Sequence, residues 1–276
     1  MGFSVNTNAS ALSALQNLNN TTRDLDGVQT RINTGLRISS AKDNAAVYSI
    51  AQQLRADLRG YGAVTQSLDR SISTVDIALA AAESISDLLI EMKEKAVAAA
   101  DEGLDQSSRD ALAQDFEALR DQVTIITANA TFNGTNIIDA GTDQIVAITS
   151  PDAAQKITIS HENLTLGGGN IAITATQSIT TLATAQSAVT DVDTSLTAVN
   201  ASLTRLGAGG TTLEAQRTFA TKISDTIEVG IGNLVDADLA RESARLQSLQ
   251  VKQQLGVQAL SIANSAPQSI LNLFGG

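Results

Sequence analysis

From Val64 to Ala96 the apolar side chains recur at steps of three and four without a break: Leu68, Ile72, Val75, Leu79, Ala82, Ile85, Leu89, Met92, Ala96. A stripe of this length requires a helical rod of roughly 50 Å at about 1.5 Å per residue. A second run, Val189, Val192, Leu196, Val199, Leu203 and Leu206, keeps the same spacing. It carries on through Leu213, Ala220, Ile223 and Ile227, across Gly207-Ala-Gly-Gly210. A shorter stretch repeats the pattern with Leu112, Phe116, Leu119, Val123 and Ile126, after a break at Gly103 and a cap expected at Ser107 or Ser108. It folds back on the first rod as an antiparallel hairpin. One-sided rods need partners for their stripes, so the expected fold is mainly α: an elongated long-helix bundle or coiled coil of three or four members, with a small β-hairpin region.

The strand signal lies between the rods. Gln144–Thr149, Gln155–His161 and Ile171–Thr176 alternate in period two, with turns at Pro151-Asp152 and Gly167-Gly-Gly169. The two ends of the chain differ from the rods. Leu12, Leu15, Leu18, Leu25, Val28 and Ile32 give a one-faced helix that Gly35 interrupts, and Ser40-Ala-Lys-Asp43 reads as a capping box for the next helix. Asp236 or Asp238 caps a last helix bearing Leu239, Leu246, Leu249, Leu260 and Ile270, which Pro267 is expected to kink or end. Apart from Phe3 and Phe274 these ends lack aromatics, and their backs carry little charge. Paired, they leave a wide, weakly polar surface of the kind that mediates association. The organisation expected is therefore residues 1–40 with 236–276 as a terminal coiled-coil inner domain, 41–142 with 181–235 as a helical rod domain, and 143–180 as a small β region.

Composition removes most other classes. Aromatics make up 3% of the chain, Trp is absent, and the formal net charge is −11. Without a cluster of Lys and Arg there is no phosphate-binding patch, so nucleic acid is not an expected partner. Apolar runs are short, so no membrane span is expected. The first basic residue is Arg23 and position 6 is Asn, which fit neither a cleaved signal peptide nor a myristoylation signal. Cysteine is absent, so disulfides and thiolate chemistry are too. The single histidine, His161, reads as a surface strand residue beside Glu162 rather than a general base. Glu91, Glu94, Asp110, Asp115, Glu117 and Asp121 read as solvated helix faces. Asp191-Val-Asp193 and Asp236-Ala-Asp238 lack the Gly and Glu of a calcium loop, and Gly167-Gly-Gly-Asn170 lacks the Lys-Ser/Thr of a phosphate cradle. No catalytic residue, metal site or cofactor is expected, and the chain reads as a non-enzymatic, self-associating subunit.

Three segments, in order, resemble bacterial flagellin: Arg31-Ile-Asn-Thr-Gly-Leu-Arg-Ile-Ser-Ser-Ala-Lys-Asp-Asn-Ala-Ala46, Phe132-Asn-Gly-Thr-Asn-Ile-Ile-Asp139, and the run from Asp236-Ala-Asp-Leu-Ala240 through Gln250-Val-Lys-Gln-Gln-Leu-Gly256 to Leu271. A hook–filament junction protein has similar ends, and the intact run from Asp236 favours flagellin. The resemblance implies a short flagellin without inserted outer domains, polymerising with itself into the extracellular bacterial flagellar filament, the helical propeller for swimming. It implies Leu12, Leu15, Leu18, Leu25, Leu239, Leu246, Leu249 and Leu260 as the polymerisation seam. The filament cap, hook-junction proteins, an export chaperone and the flagellar export apparatus follow as partners, with export that removes no signal peptide.

Two finer expectations follow from the same resemblance. Flagellins of this short kind are often O-glycosylated, which makes Thr149, Ser150, Thr165 and Thr176 candidates. Flagellins detected by their Toll-like receptor carry Leu-x-Arg-hydrophobic-Arg-Glu-Leu-Ala-Val-Gln, where this chain reads Leu89-Ile-Glu-Met-Lys-Glu-Lys-Ala-Val-Ala98. Glu91, Lys95 and Ala98 thus stand in place of Arg, Leu and Gln, with Glu91 and Lys95 expected as an i,i+4 pair. Poor recognition is the implied result.

Overall fold

The computed structural model describes residues 7–274, with side chains described to residue 265. Readings that rest on Gly2, Phe3 or Asn6, or on the side chains of Pro267, Ile270 and Phe274, lie outside the described residues. Among the described residues five helices and one hairpin follow in the order α1 (Ala9–Thr34), α2 (Ala45–Ala99), α3 (Gln106–Asn129), β1 (Ile145–Ile148), β2 (Lys156–Ile159), α4 (Leu182–Val235) and α5 (Leu239–Phe274). The chain divides into two compact units, Met1–Ala56 with Thr226–Gly276, and Asp57–Asp225.

In the first unit α1 and α5 pair antiparallel. Asn8 accepts from the Ala11 N–H at 3.0 Å as the N-cap of α1, while its Nδ2 donates to the Ala263 carbonyl near the other end of α5 at 2.7 Å. Gly35 closes α1 with φ +70°, a left-handed conformation that glycine adopts without strain. Beyond it the connector is stitched to the end of α4: Arg37 N–H donates to the Val235 carbonyl at 2.7 Å, and Ala237 N–H to the Gly35 carbonyl at 2.9 Å. Ile38 is buried as a result. The capping box expected at Ser40 does not start α2. Both hydroxyls and both N–H groups of Ser39 and Ser40 donate to the Asp43 carboxylate, which holds its carboxyl below the usual range and closes a turn. Asn44 caps α2 instead, accepting from Val47 N–H at 3.1 Å. At the other end Asp238 caps α5 by accepting from Arg241 N–H at 3.1 Å. Pro267, expected to kink or end this helix, does not end it, because α5 continues to Phe274. A proline removes one main-chain donor and crowds the carbonyl four residues back, which weakens that turn, but its fixed φ is itself helical.

In the second unit α2, α3 and α4 share one core, built on Leu68, Ile85, Leu89, Met92, Phe116 and Leu206. The predicted stripes supply it. Ion pairs give the directions. Lys93 meets Asp193 and Asp69 meets Arg217, both at 2.5 Å, so α4 runs antiparallel to α2. Lys95 meets Asp115 at 3.3 Å, as the back-folded α3 requires. That contact corrects the expected Glu91–Lys95 pair, since the lysine reaches across to α3. Asp105, rather than Ser107 or Ser108, caps α3 by accepting from Ser108 N–H at 2.6 Å. Arg109 is buried at the turn between α2 and α3, where its guanidinium donates to the carbonyls of Ala99, Asp101 and Leu104.

β1 and β2 pair antiparallel with Ile145 opposite Ile159 and Ile148 opposite Lys156. Ile145, Ala147 and Ile159 face the helices. Ile171–Thr176 is not a strand. Its alternation is real, since Ile171 and Ile173 are buried, but their carbonyls accept from Gly167 N–H and Ala172 N–H donates to the Ser195 hydroxyl. Turn and side-chain partners replace a ladder.

Candidate assembly surface

The α1–α5 pair has a short internal seam. Leu25, Val28 and Leu249 are buried, with Ile32 and Leu246 packed against them. Toward the other end of the pair the helices pack through small residues. Leu18 is half-buried, with its Cδ1 3.2 Å from where a Cβ on Gly256 would sit, and Leu260 is also half-buried. Leu12, Leu15 and Leu239 stand off the seam, exposed at 60%, 43% and 49%. Val251, Leu255, Val257 and Ile262 join them, and the sequence reading missed these four. Their signal was available: α5 carries apolar residues on every side, a pattern that a single partner helix cannot cover.

The one charged group buried in this unit is Glu242, among the described residues. Its Oε1 accepts from Arg31 Nη1 at 3.3 Å, and Oε2 has no partner. This pair joins the start of α5 to the last turns of α1, at one end of the aliphatic seam.

The other named positions lie in the second unit. Glu91 and Ala98 are exposed on α2, while Lys95 is half-buried and tied to Asp115. Of the glycosylation candidates only Thr176 is exposed. Thr149 is half-buried; the Ser150 hydroxyl donates to Asp152 at 2.5 Å, and the Thr165 hydroxyl donates to Asn163 at 2.6 Å. His161 is not a surface strand residue. It follows β2, its side chain is 14% exposed, and Nε2 lies 3.5 Å from Asp139 Oδ1. Glu162, read only as its neighbour, is buried against α4, where Arg205 grips both oxygens at 2.6 and 2.5 Å and the Ser202 hydroxyl donates at 2.9 Å. Burial pushes its carboxyl up, and the Arg205 and Ser202 hydrogen bonds outweigh that, leaving it below the usual range. Among the described residues no cluster of acids and histidine could hold a metal ion, and no helix is long and apolar enough to cross a membrane.

A pair of terminal helices in one unit and a bundle of long helices in the other, with apolar side chains left outside both cores, define a structural subunit made to associate. Similarity to known proteins names the class. Residues 5–143 match the bacterial flagellin N-terminal helical region and residues 189–274 the C-terminal helical region. Flagellin FljM of Caulobacter vibrioides is 50% identical over 271 residues, covering 98% of each chain. A flagellin of Brucella melitensis is 36% identical over 282 residues, covering 99% of each. The fold is shared with a putative flagellar hook-associated protein from Vibrio parahaemolyticus, at TM-score 0.56 and 13% identity over 70% of this chain and all of the other. The chain belongs to the bacterial flagellin family. It is a structural subunit that polymerises into the extracellular flagellar filament, and it is not an enzyme.

Proposed function

We propose that the outward apolar face of the α1–α5 pair is the surface through which copies of this chain join. The observation that carries this reading is the exposure of Leu12, Leu15, Leu239 and Ile262 on helices whose internal seam, among the described residues, buries Leu25, Val28 and Leu249. Aliphatic side chains gain by leaving water, and in one chain these have nowhere to go. Leu15→Asp leaves the monomer's own seam intact and places a charge where a neighbouring copy packs, which typically costs several kcal/mol. The variant should fold as wild type does by circular dichroism and fail to form filaments by electron microscopy. Normal filaments from Leu15→Asp would reject the surface.

The terminal helices are also the surface that the filament cap, hook-junction proteins, an export chaperone and the flagellar export apparatus engage in this reading, because all of them handle the subunit end-on or unassembled. On α2, Glu91, Lys95 and Ala98 form a face ill-suited to the Toll-like receptor that detects flagellins: a charge is reversed, an apolar anchor is replaced by a lysine held by Asp115, and an amide is lost. Among the glycosylation candidates, Thr176 is the favoured acceptor because its side chain is exposed.

A further inference from the structure

The chain contains a single Asn-Gly step, Asn133-Gly134. It sits at the tip of a two-residue turn, where Phe132 N–H donates to the Thr135 carbonyl at 3.0 Å and Thr135 N–H to the Phe132 carbonyl at 2.9 Å. Both central residues have positive φ, +50° and +82°, the mark of a type I′ turn. Both are exposed. Among the described residues neither the Asn133 side-chain amide nor the Gly134 N–H has a hydrogen-bond partner, and a Cβ on Gly134 would meet nothing within 4 Å.

We propose that Asn133 is a self-modification site, at which the Gly134 nitrogen attacks the Asn133 side-chain carbonyl to form a succinimide that water opens to aspartate or isoaspartate. The new bond joins Gly134 N to Asn133 Cγ. The Cγ–Nδ2 bond breaks, and the Gly134 amide proton leaves with Nδ2 as ammonia. Water then adds to one of the two ring carbonyls. Cleavage at Cγ gives aspartate, and cleavage at the main-chain carbonyl gives isoaspartate. Nothing is oxidised or reduced, and no enzyme is needed. Glycine matters because a Cβ at position 134 would crowd the approaching nitrogen. The free amide matters because no hydrogen bond has to be broken at either reacting atom.

The neighbouring asparagine shows the contrast. Asn136 is buried, with Nδ2 donating to the Thr127 carbonyl at 2.8 Å and Oδ1 accepting from Ile138 N–H at 3.0 Å. Its amide is held in place and its successor is isoleucine. The two products act differently on the turn. Aspartate adds a negative charge and keeps the main chain. Isoaspartate inserts a methylene between the two hydrogen bonds of a two-residue turn, which cannot then keep both. Phe132 and Thr135 lose their mutual tie, next to the buried Ile137 and Ile138. Subunits in an ageing filament therefore divide into three chemical forms.

The test uses filaments of the full chain and of Asn133→Gly, since Gly-Gly also suits a type I′ turn and has no side-chain amide to lose. Both are aged in warm buffer at mildly alkaline pH, then digested. Mass spectrometry with fragmentation should place a gain of about 1 Da at residue 133 of the parent chain. Methylation by an isoaspartyl methyltransferase should label the same peptide, and the label should be absent from Asn133→Gly. Hydrogen exchange at Phe132 and Thr135 should quicken in step with the label. No mass gain at 133, or equal gains at the other asparagines, would overturn the assignment.

Discussion

Two glycines of α2, two residues apart, should respond differently to alanine. Gly62 is exposed, with open space around a would-be Cβ, so Gly62→Ala gains the ordinary helix preference of about 1 kcal/mol. Gly60 has the same preference to gain. There, however, the Cβ would lie 2.6 Å from Pro151 Cβ and 3.2 Å from Pro151 Cα. Relief requires the turn between β1 and β2 to retreat by about 1 Å, to reach the usual carbon–carbon separation of about 3.5–4.0 Å. No rotamer can absorb this, because the clashing atoms belong to a proline ring and the main chain. The retreat pulls on the Thr149 N–H bond to the Gln155 carbonyl (2.9 Å) and on the Ile148 N–H bond to the Ser67 hydroxyl (3.2 Å). Overpacking of this kind costs about 1–3 kcal/mol, enough to cancel or exceed the helix gain. Thermal unfolding of the monomers should separate the two variants by on the order of 5 °C, with Gly62→Ala the more stable. Faster hydrogen exchange at Ile148 in Gly60→Ala alone would locate the cause. Equal stabilisation by both substitutions would refute the close approach of Pro151 to α2.

Glu162 has a depressed carboxyl, so its contribution is present above the usual carboxylate range and is lost as pH falls through its folded value. Glu162→Gln should be less stable than wild type at neutral pH, and denaturant curves for the two should converge in acid; parallel curves would contradict this. In a reporter assay for the flagellin-detecting Toll-like receptor, the monomer should be weak, and Glu91→Arg, Lys95→Leu and Ala98→Gln together should raise potency. Potency already equal to that of a detected flagellin would remove the proposal. Native filament subunits should exceed the sequence mass, with the excess mapping to Thr176; an intact mass equal to the sequence mass would exclude glycosylation.

The rods were legible because a 3.6-residue period sustained over many turns has no competing reading, and the core residues Leu68, Leu89, Phe116 and Leu206 fall on the stripes that predict them. β1 and β2 were legible for the matching reason in period two. Ile171–Thr176 alternates just as well, yet alternation reports burial on one side and says nothing about a pairing partner. Helix starts were less legible. Several Ser, Asp and Asn side chains stand near each start; Asp43 takes the donors of Ser39 and Ser40 while Asn44 takes Val47 N–H, and Asp105 takes Ser108 N–H, so which of them caps depends on the direction from which the chain enters. Lys95 was paired wrongly because an i−4 acid is visible in sequence and an acid on another helix is not. Arg205 held a usable hint: no acid lies three or four residues away on its own helix, so its partner had to come from elsewhere. On the terminal helices the sequence showed apolar positions, but not which of them a single chain could cover.

Charge is spread unevenly along the chain, and this makes a prediction about assembly itself. Residues 57–225 carry 22 acidic side chains against 10 basic ones, while the remaining residues are close to neutral. Several of those basic groups are already committed, with Lys93, Lys95 and Arg217 in ion pairs and Arg109 capping carbonyls. Each of those ion pairs consumes an acid along with its base, so the excess of acidic side chains on this unit is left unchanged. Each copy added to a filament brings another such unit, and in the proposed arrangement the apolar terminal helices draw the copies together against that repulsion. Screening acts over about 30 Å at 0.01 M salt and about 3 Å at 1 M. The critical concentration for polymerisation should therefore fall steeply as sodium chloride rises over that range. Salt also strengthens apolar association, so the decisive comparison is a variant with Glu83→Gln, Asp87→Asn and Glu94→Gln, three exposed acids without an ion pair. Neutralising them leaves the terminal helices untouched, and it should lower the critical concentration at low salt and flatten its dependence. If the variant and the parent chain show the same salt slope, the acidic unit does not oppose assembly, and the slope belongs to the apolar surface alone.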